Sequence, residues 1–265
     1  MTETLMPVWW VAFTIPVLVL LQRWLHRHVH GLAYLITGKQ NWAVLLFAIV
    51  FFPGVLLHEL SHWIAAVLLG VRTGSFSVLP KTKADGSIQL GYVEFYKSSK
   101  LGPIRESLIG SAPLITGTAA ILLISFQVFD ITNLAVAAET GDIESLSRAI
   151  TILFETNDFL IWLYLIFAIS NAMMPSKSDR KAWPAFAIIM AIAAALLYLL
   201  GLQDVLLSGL AGPVATVFGY LGLAFSLTIG VDLFVIVAVY ILEMIVSRLK
   251  GVQVVYGSSG YPPAG

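Results

Sequence analysis

The segment from Trp42 to Gly70 carries one formal charge, Glu59, in a stretch otherwise dominated by Val, Leu, Ile, Phe, Ala and Trp. About 20 such residues are enough to cross a bilayer's hydrocarbon core as a helix. In lipid, only helices and closed barrels satisfy every backbone N–H and C=O. Similar runs recur at Pro7–Leu25, Ile104–Phe129, Phe159–Met174 and Trp183–Leu200. The stretch from Val205 to Leu249 fits either two spans or one full span plus a short half-helix around GLAGPVATVFG. Of the 265 residues, 58% are hydrophobic and 11% charged, where a soluble domain carries about a quarter charged. The expected fold is an all-α polytopic membrane protein of about six transmembrane helices. One domain is expected over residues 1–249, with a disordered tail over 250–265.

Composition also excludes some functions. A net charge of zero gives no bulk attraction to nucleic acid, so the lipid bilayer is the expected surrounding partner. With no cysteine there are no disulfides and no thiolate metal sites. The opening MTETLMPVWW lacks the basic start and small-residue exit of a cleaved signal peptide, so the first run is expected to be retained. The FPG at Phe52–Gly54 predicts a kink or break in the second span. Between Val71 and Leu101, SFSVLP and SIQLGYVEFY alternate like short strands around KADGS, which predicts a β-hairpin. An acidic loop over Asp130–Asp158 is expected to hold a short surface helix at Ile143–Phe154.

Lys and Arg set the expected orientation. Arg72, Lys81, Lys83, Lys97, Lys100 and Arg105 flank the hairpin, and Lys177, Arg180 and Lys181 follow the fourth run. Both segments are placed in the cytoplasm, with Arg23, Arg27 and Lys39 as a mild exception outside. An integral protein of a prokaryotic plasma membrane, with its site toward the cytoplasm, is the expected setting.

The chemistry sits in the most apolar surroundings. His58-Glu59-Leu60-Ser61-His62 is H-E-x-x-H. On a helix, positions i and i+4 share a face, so both imidazoles can reach one Zn²⁺, with Glu59 beside them to deprotonate a water. An ionisable group in the membrane costs about 3 kcal/mol, and a bound metal ion compensates for placing three so close together. Zinc requires a third ligand. With cysteine absent, the candidates are Asp179, Asp232, Glu243 and the three histidines of HRHVH, His26, His28 and His30. These three histidines otherwise read as solvated residues at a membrane edge.

Three features together resemble the site-2 protease family of intramembrane zinc metalloproteases. They are the H-E-L-S-H span, the small-residue segment SAPLITG (Ser111–Gly117) in the span after the hairpin, and Asn171 followed eight residues later by Asp179. The resemblance covers about Trp42 to Ala182. The chain is divergent: Pro175 is shifted by one residue, Arg180 follows Asp179 where the family has Gly, and Ala112 stands where the family has Gly.

The resemblance implies zinc held by His58, His62 and Asp179, with Glu59 as general base and Asn171 on the substrate backbone or oxyanion. It also implies cleavage of single-span membrane proteins near the cytoplasmic side, with the hairpin accepting the unwound substrate by β-augmentation. The small residues around Pro113 read as helix-packing residues. An alternative is a zinc-binding membrane protein without proteolytic activity, either chaperone-like or regulatory. Prenyl-protein peptidases, which take a Glu as third ligand, would need Glu243 beside the zinc helix.

Overall fold

The computed structural model describes residues 2–78, 81–82, 88–89, 91–95, 102–201 and 203–256. Among these the chain is mostly helical. In order come α1 (Thr2–Thr37), α2 (Gln40–Leu68), β1 (Thr73–Ser77), β2 (Lys81–Thr82), β3 (Ile88–Gln89), β4 (Tyr92–Phe95), α3 (Pro103–Gln127), α4 (Ile131–Thr140), α5 (Ile143–Glu155), α6 (Phe159–Met173), α7 (Trp183–Leu199) and α8 (Gln203–Lys250). Four helices are long and apolar enough to cross a membrane: α1, α2, α3 and α8. The bent pair α5–α6, angled at 88°, makes a fifth if counted as one span. This is fewer than the six expected. The apolar α7 has 17 residues, about the shortest that can span the hydrocarbon core.

The region from Val205 onward forms neither two spans nor a span with a half-helix. It is one 48-residue helix with Pro213 inside it, about 72 Å long at 1.5 Å per residue. Its contacts with α1 advance in register. Trp10 Nε1–H donates to Ser226, His28 meets Glu243, and Lys250 Nζ donates to the carbonyls of Leu35 and Ile36. The two helices therefore run parallel.

The second span also differs from expectation, because α2 continues through Pro53 without a break. Proline removes the N–H that would bond the carbonyl four residues back, here that of Ile49. Tyr164 Oη–H of α6 donates to this carbonyl at 3.3 Å, so a neighbouring helix restores what the proline took away. Gly54 lets the same two helices touch, since a Cβ there would overlap the Ala168 carbonyl. The core lies where α1, α2, α3, α6 and α8 meet, around Leu18, Leu25, Phe51, Ile121, Ile166 and Phe225.

The alternating segment after α2 forms short antiparallel pairs, β1 with β4 and β2 with β3. The expected KADGS turn (Lys83–Ser87) lies outside the described residues. The predicted surface helix is present as α5, capped by Asp142, whose side chain accepts from the amides of Glu144 and Ser145. The cap's hydrogen bonds hold the Asp142 carboxyl below the usual carboxylate value. The predicted tail is described only to Tyr256. Tyr256 lies against α1, with its hydroxyl donating to Glu243 at 2.8 Å.

Candidate metal centre

Helix α2 places His58 and His62 one turn apart, as the i, i+4 spacing requires. Their Nε2 atoms lie 3.2 Å apart. Asp179, in the turn after α6, reaches in from the side, with Oδ1 at 3.3 Å from His62 Nε2 and Oδ2 at 3.7 Å from His58 Nε2. These three ligand atoms all lie within 4.8 Å of one another, and among the described residues they form the one such group that could hold a metal ion.

The imidazole tautomers follow from the other ring nitrogens. His58 Nδ1 is 2.6 Å from the Ala172 carbonyl and His62 Nδ1 is 2.9 Å from the Ile109 carbonyl. A carbonyl only accepts, so each Nδ1 carries its proton and each Nε2 is left facing the centre, free to bind a metal ion or, in the metal-free protein, for His62 to hold a second proton and donate it to Asp179. Two such nitrogens and a carboxylate converge on one point, an arrangement that could hold a metal ion. The spacing fits zinc: bonds of about 2.0–2.1 Å in a tetrahedron put ligand atoms about 3.3 Å apart. A carbonyl bonded to the non-ligating nitrogen is also the usual outer support of a metal-binding histidine.

Neighbouring elements hold each ligand in place. Ser61 Oγ–H donates to the Leu57 carbonyl and meets Thr116 Oγ1 at 2.5 Å, tying α2 to α3. The Asp179 backbone lies directly on α3, since a Cβ at Gly110 would overlap the Asp179 carbonyl. The Ser176 amide donates to Asp179 Oδ2 at 2.7 Å. Burial works against the charge on Asp179, but hydrogen bonds from His62 and Ser176 hold its carboxyl at about 2.

Glu59 is 8% exposed and within electrostatic reach of His62 and Asp179. Gly91, just before β4, covers it: a Cβ there would come within 2.8 Å of Glu59 Cγ and 3.1 Å of its Oε1. The strand pair therefore lies over the general-base candidate. The sequence placed a hairpin near the site but gave no sign of which residue would touch Glu59.

Asn171 lies next to Ala172, whose carbonyl orients His58, and its own amide is bonded within the protein. Its amide donates to the Phe167 carbonyl at 3.0 Å and to Asp232 Oδ1 of α8 at 2.8 Å, so both hydrogens of its NH₂ group bond within the protein. Asp232, fully buried, is bonded to Asn171 and does not belong to the group of convergent ligand atoms. The sequence singled out Asn171 and Asp232 separately. Their pairing joins elements 61 residues apart, and no local pattern signals it.

Glu243 is also elsewhere, bonded to His28 Nδ1 at 2.7 Å and to Tyr256. The HRHVH histidines are not a solvated edge, because α1 continues through them. His26 packs edge-on against Phe47 and Phe51, His28 stacks on Trp24 at 3.9 Å, and His30 Nε2 is buried with no hydrogen-bond partner among the described residues. The expectation of solvation failed because α8 and Tyr256 cover one face of α1 and α2 covers another. No protein-family model, curated protein or solved structure matches this chain.

Proposed function

We propose that the chain is an intramembrane zinc hydrolase that cuts peptide bonds in or near the transmembrane segments of other membrane proteins. One observation carries the reading: three lone-pair donors, His58, His62 and Asp179, converge beside a buried glutamate inside a membrane-grade bundle. Zinc held there supplies a Lewis acid for the scissile carbonyl and brings the pKa of water toward about 7.

Everything else falls to the chain's own residues. Glu59 takes the attacking water's proton and gives it to the departing amine. The Ala172 and Ile109 carbonyls keep both imidazoles in the ligating tautomer. The β1–β4 pair lies over Glu59 and offers an unwound substrate a backbone to pair with, which suits a single-span substrate whose helix must open before cleavage. The basic segments around β1–β4 and after α6 favour a cytoplasmic site in a prokaryotic plasma membrane. Asn171, with its amide donors occupied, serves a substrate only through its carbonyl oxygen or after leaving Asp232.

The test is Glu59→Gln in detergent-purified protein, assayed against single-span membrane substrates. Cleavage should fall by at least about 100-fold, the usual weight of general acid–base catalysis, while zinc content stays at one per chain. Undiminished cleavage would overturn the hydrolase reading. Bound zinc with no cleavage by the wild type would favour the non-proteolytic alternative.

A further inference from the structure

We infer that Pro113 is a positioning residue for the metal centre: by lacking an N–H, it leaves the Ile109 carbonyl of α3 for His62. Pro113 lies inside α3 and is fully buried. In a helix the N–H of residue 113 would bond the carbonyl of residue 109. Proline has no such hydrogen, and its ring crowds the same carbonyl away from the helix axis. The Ile109 oxygen accepts from His62 Nδ1–H at 2.9 Å instead.

His58 is served in the same way from the opposite side. Its acceptor is the carbonyl of Ala172, one residue before the end of α6. The next amide on that ladder belongs to Ser176, and it donates to Asp179 Oδ2 instead. Each zinc-side imidazole is thus oriented by a helix carbonyl that has lost its intrahelical donor. On α3 the cause is a proline. On α6 it is the turn that delivers the third ligand. A helix-packing role for Pro113 does not account for this coincidence.

The inference rests on the metal reading only for what His62 is held ready to bind. The hydrogen bond itself is a property of the protein with or without metal. The experiment therefore reads both, on full-length protein in detergent: the Nδ1–H signal of His62 by ¹⁵N-histidine NMR, and zinc affinity by competition with a chelator. Pro113→Ala restores the N–H. A carbonyl has two lone pairs, so the restored bond shares the acceptor and does not abolish the old bond. Zinc affinity should fall about 10-fold, at the low end of what outer-shell losses cost, and the His62 Nδ1–H signal should shift. Thermal stability should hold or rise, because alanine is the better helix former.

Replacing residue 113 by lactic acid, the ester analogue of alanine, provides the control. It lacks both the ring and the N–H, and it should restore wild-type affinity. Wild-type affinity and an unshifted His62 signal in Pro113→Ala would overturn the inference. Equal losses in the alanine and lactic-acid variants would also overturn it, since the N–H would then not matter. If no variant binds zinc but the His62 signal shifts in Pro113→Ala alone, the positioning inference stands and the metal reading falls.

Discussion

His58 and His62 bring their Nε2 atoms to 3.2 Å of each other while both Nδ1 atoms are committed to carbonyl oxygens. Both Nε2 atoms therefore face the point that Asp179 also reaches, a geometry suited to a shared cation. The purified chain should hold about one zinc. Replacing His58, His62 or Asp179 by Ala should weaken binding by more than about 100-fold, beyond the range of outer-shell changes. Glu243→Ala should leave it intact, because Glu243 serves His28 and Tyr256. Elemental analysis of the four variants beside the wild type checks this, and zinc loss in Glu243→Ala would contradict the ligand set.

Gly110 should behave like a site residue although it has no side chain. An alanine methyl would collide with the Asp179 carbonyl, and backbone cannot swing aside as a flexible side chain can. Gly110→Ala should push Asp179 away from the histidines and lower zinc affinity by about 10–100-fold. Chelator competition measures it. Unchanged affinity would mean that the turn carrying Asp179 floats freely over α3.

Gly91→Val should separate binding from chemistry. Its side chain would press on Glu59 from the strand side, and the three atoms nearest its Cβ belong to Glu59 and Val55, not to the ligands. Hydrolysis should drop by about 10-fold or more, with zinc retained. Loss of both together would show that the strand supports the ligands as well as Glu59.

The Asn171–Asp232 pair predicts a split between two substitutions. Asp232→Asn keeps a carbonyl acceptor at hydrogen-bond reach of Asn171 and should change stability little. Asp232→Leu leaves a buried amide N–H without its partner and should cost about 1–3 kcal/mol. Thermal unfolding in detergent distinguishes them. Equal effects would mean that the hydrogen bond contributes nothing measurable.

Asp179 predicts a pH dependence. Its folded-state value, about 2, lies below the ordinary carboxylate value of 3.8. A depressed value means that the stabilisation is present above the unfolded value and is lost as pH falls through the folded one. The stability difference between wild-type apoprotein and Asp179→Asn should therefore persist from neutrality down to about pH 4 and shrink only toward about pH 2. Parallel denaturation series at stepped pH measure it. A difference that vanished near pH 5 would show that the hydrogen bonds from Ser176 and His62 do not hold the carboxyl down.

Much of this was legible in the sequence, for identifiable reasons. His58 and His62 are separated by one helical turn, so local geometry alone puts them together. The run lengths gave α2, α3, α6 and α7 to within about two residues at each end, whereas α1 runs on to Thr37, twelve residues past the expected Leu25. Asp179 was reached through its spacing from Asn171, a pattern that composition alone could not supply. What escaped depends on partners distant in sequence. Pro53 leaves α2 unbroken because Tyr164 compensates. The histidines of α1 are enclosed because α8 returns beside them. Asp232 meets Asn171 across 61 residues. Pro213 and its neighbouring glycines suggested an interruption, but a single missing hydrogen bond did not stop α8.

The parallel pairing of α1 and α8 has a consequence for how the protein is made. Helix α1 enters the membrane first, yet Lys250, which bonds the Leu35 and Ile36 carbonyls, is synthesised about two hundred residues later. At the usual 5–20 residues per second, the first helix waits roughly 10–40 s for its main neighbour. Through that interval Trp10 and His28 lack the Ser226 and Glu243 partners that α8 brings them. The α1 side of the bundle therefore closes only once α8 has been made.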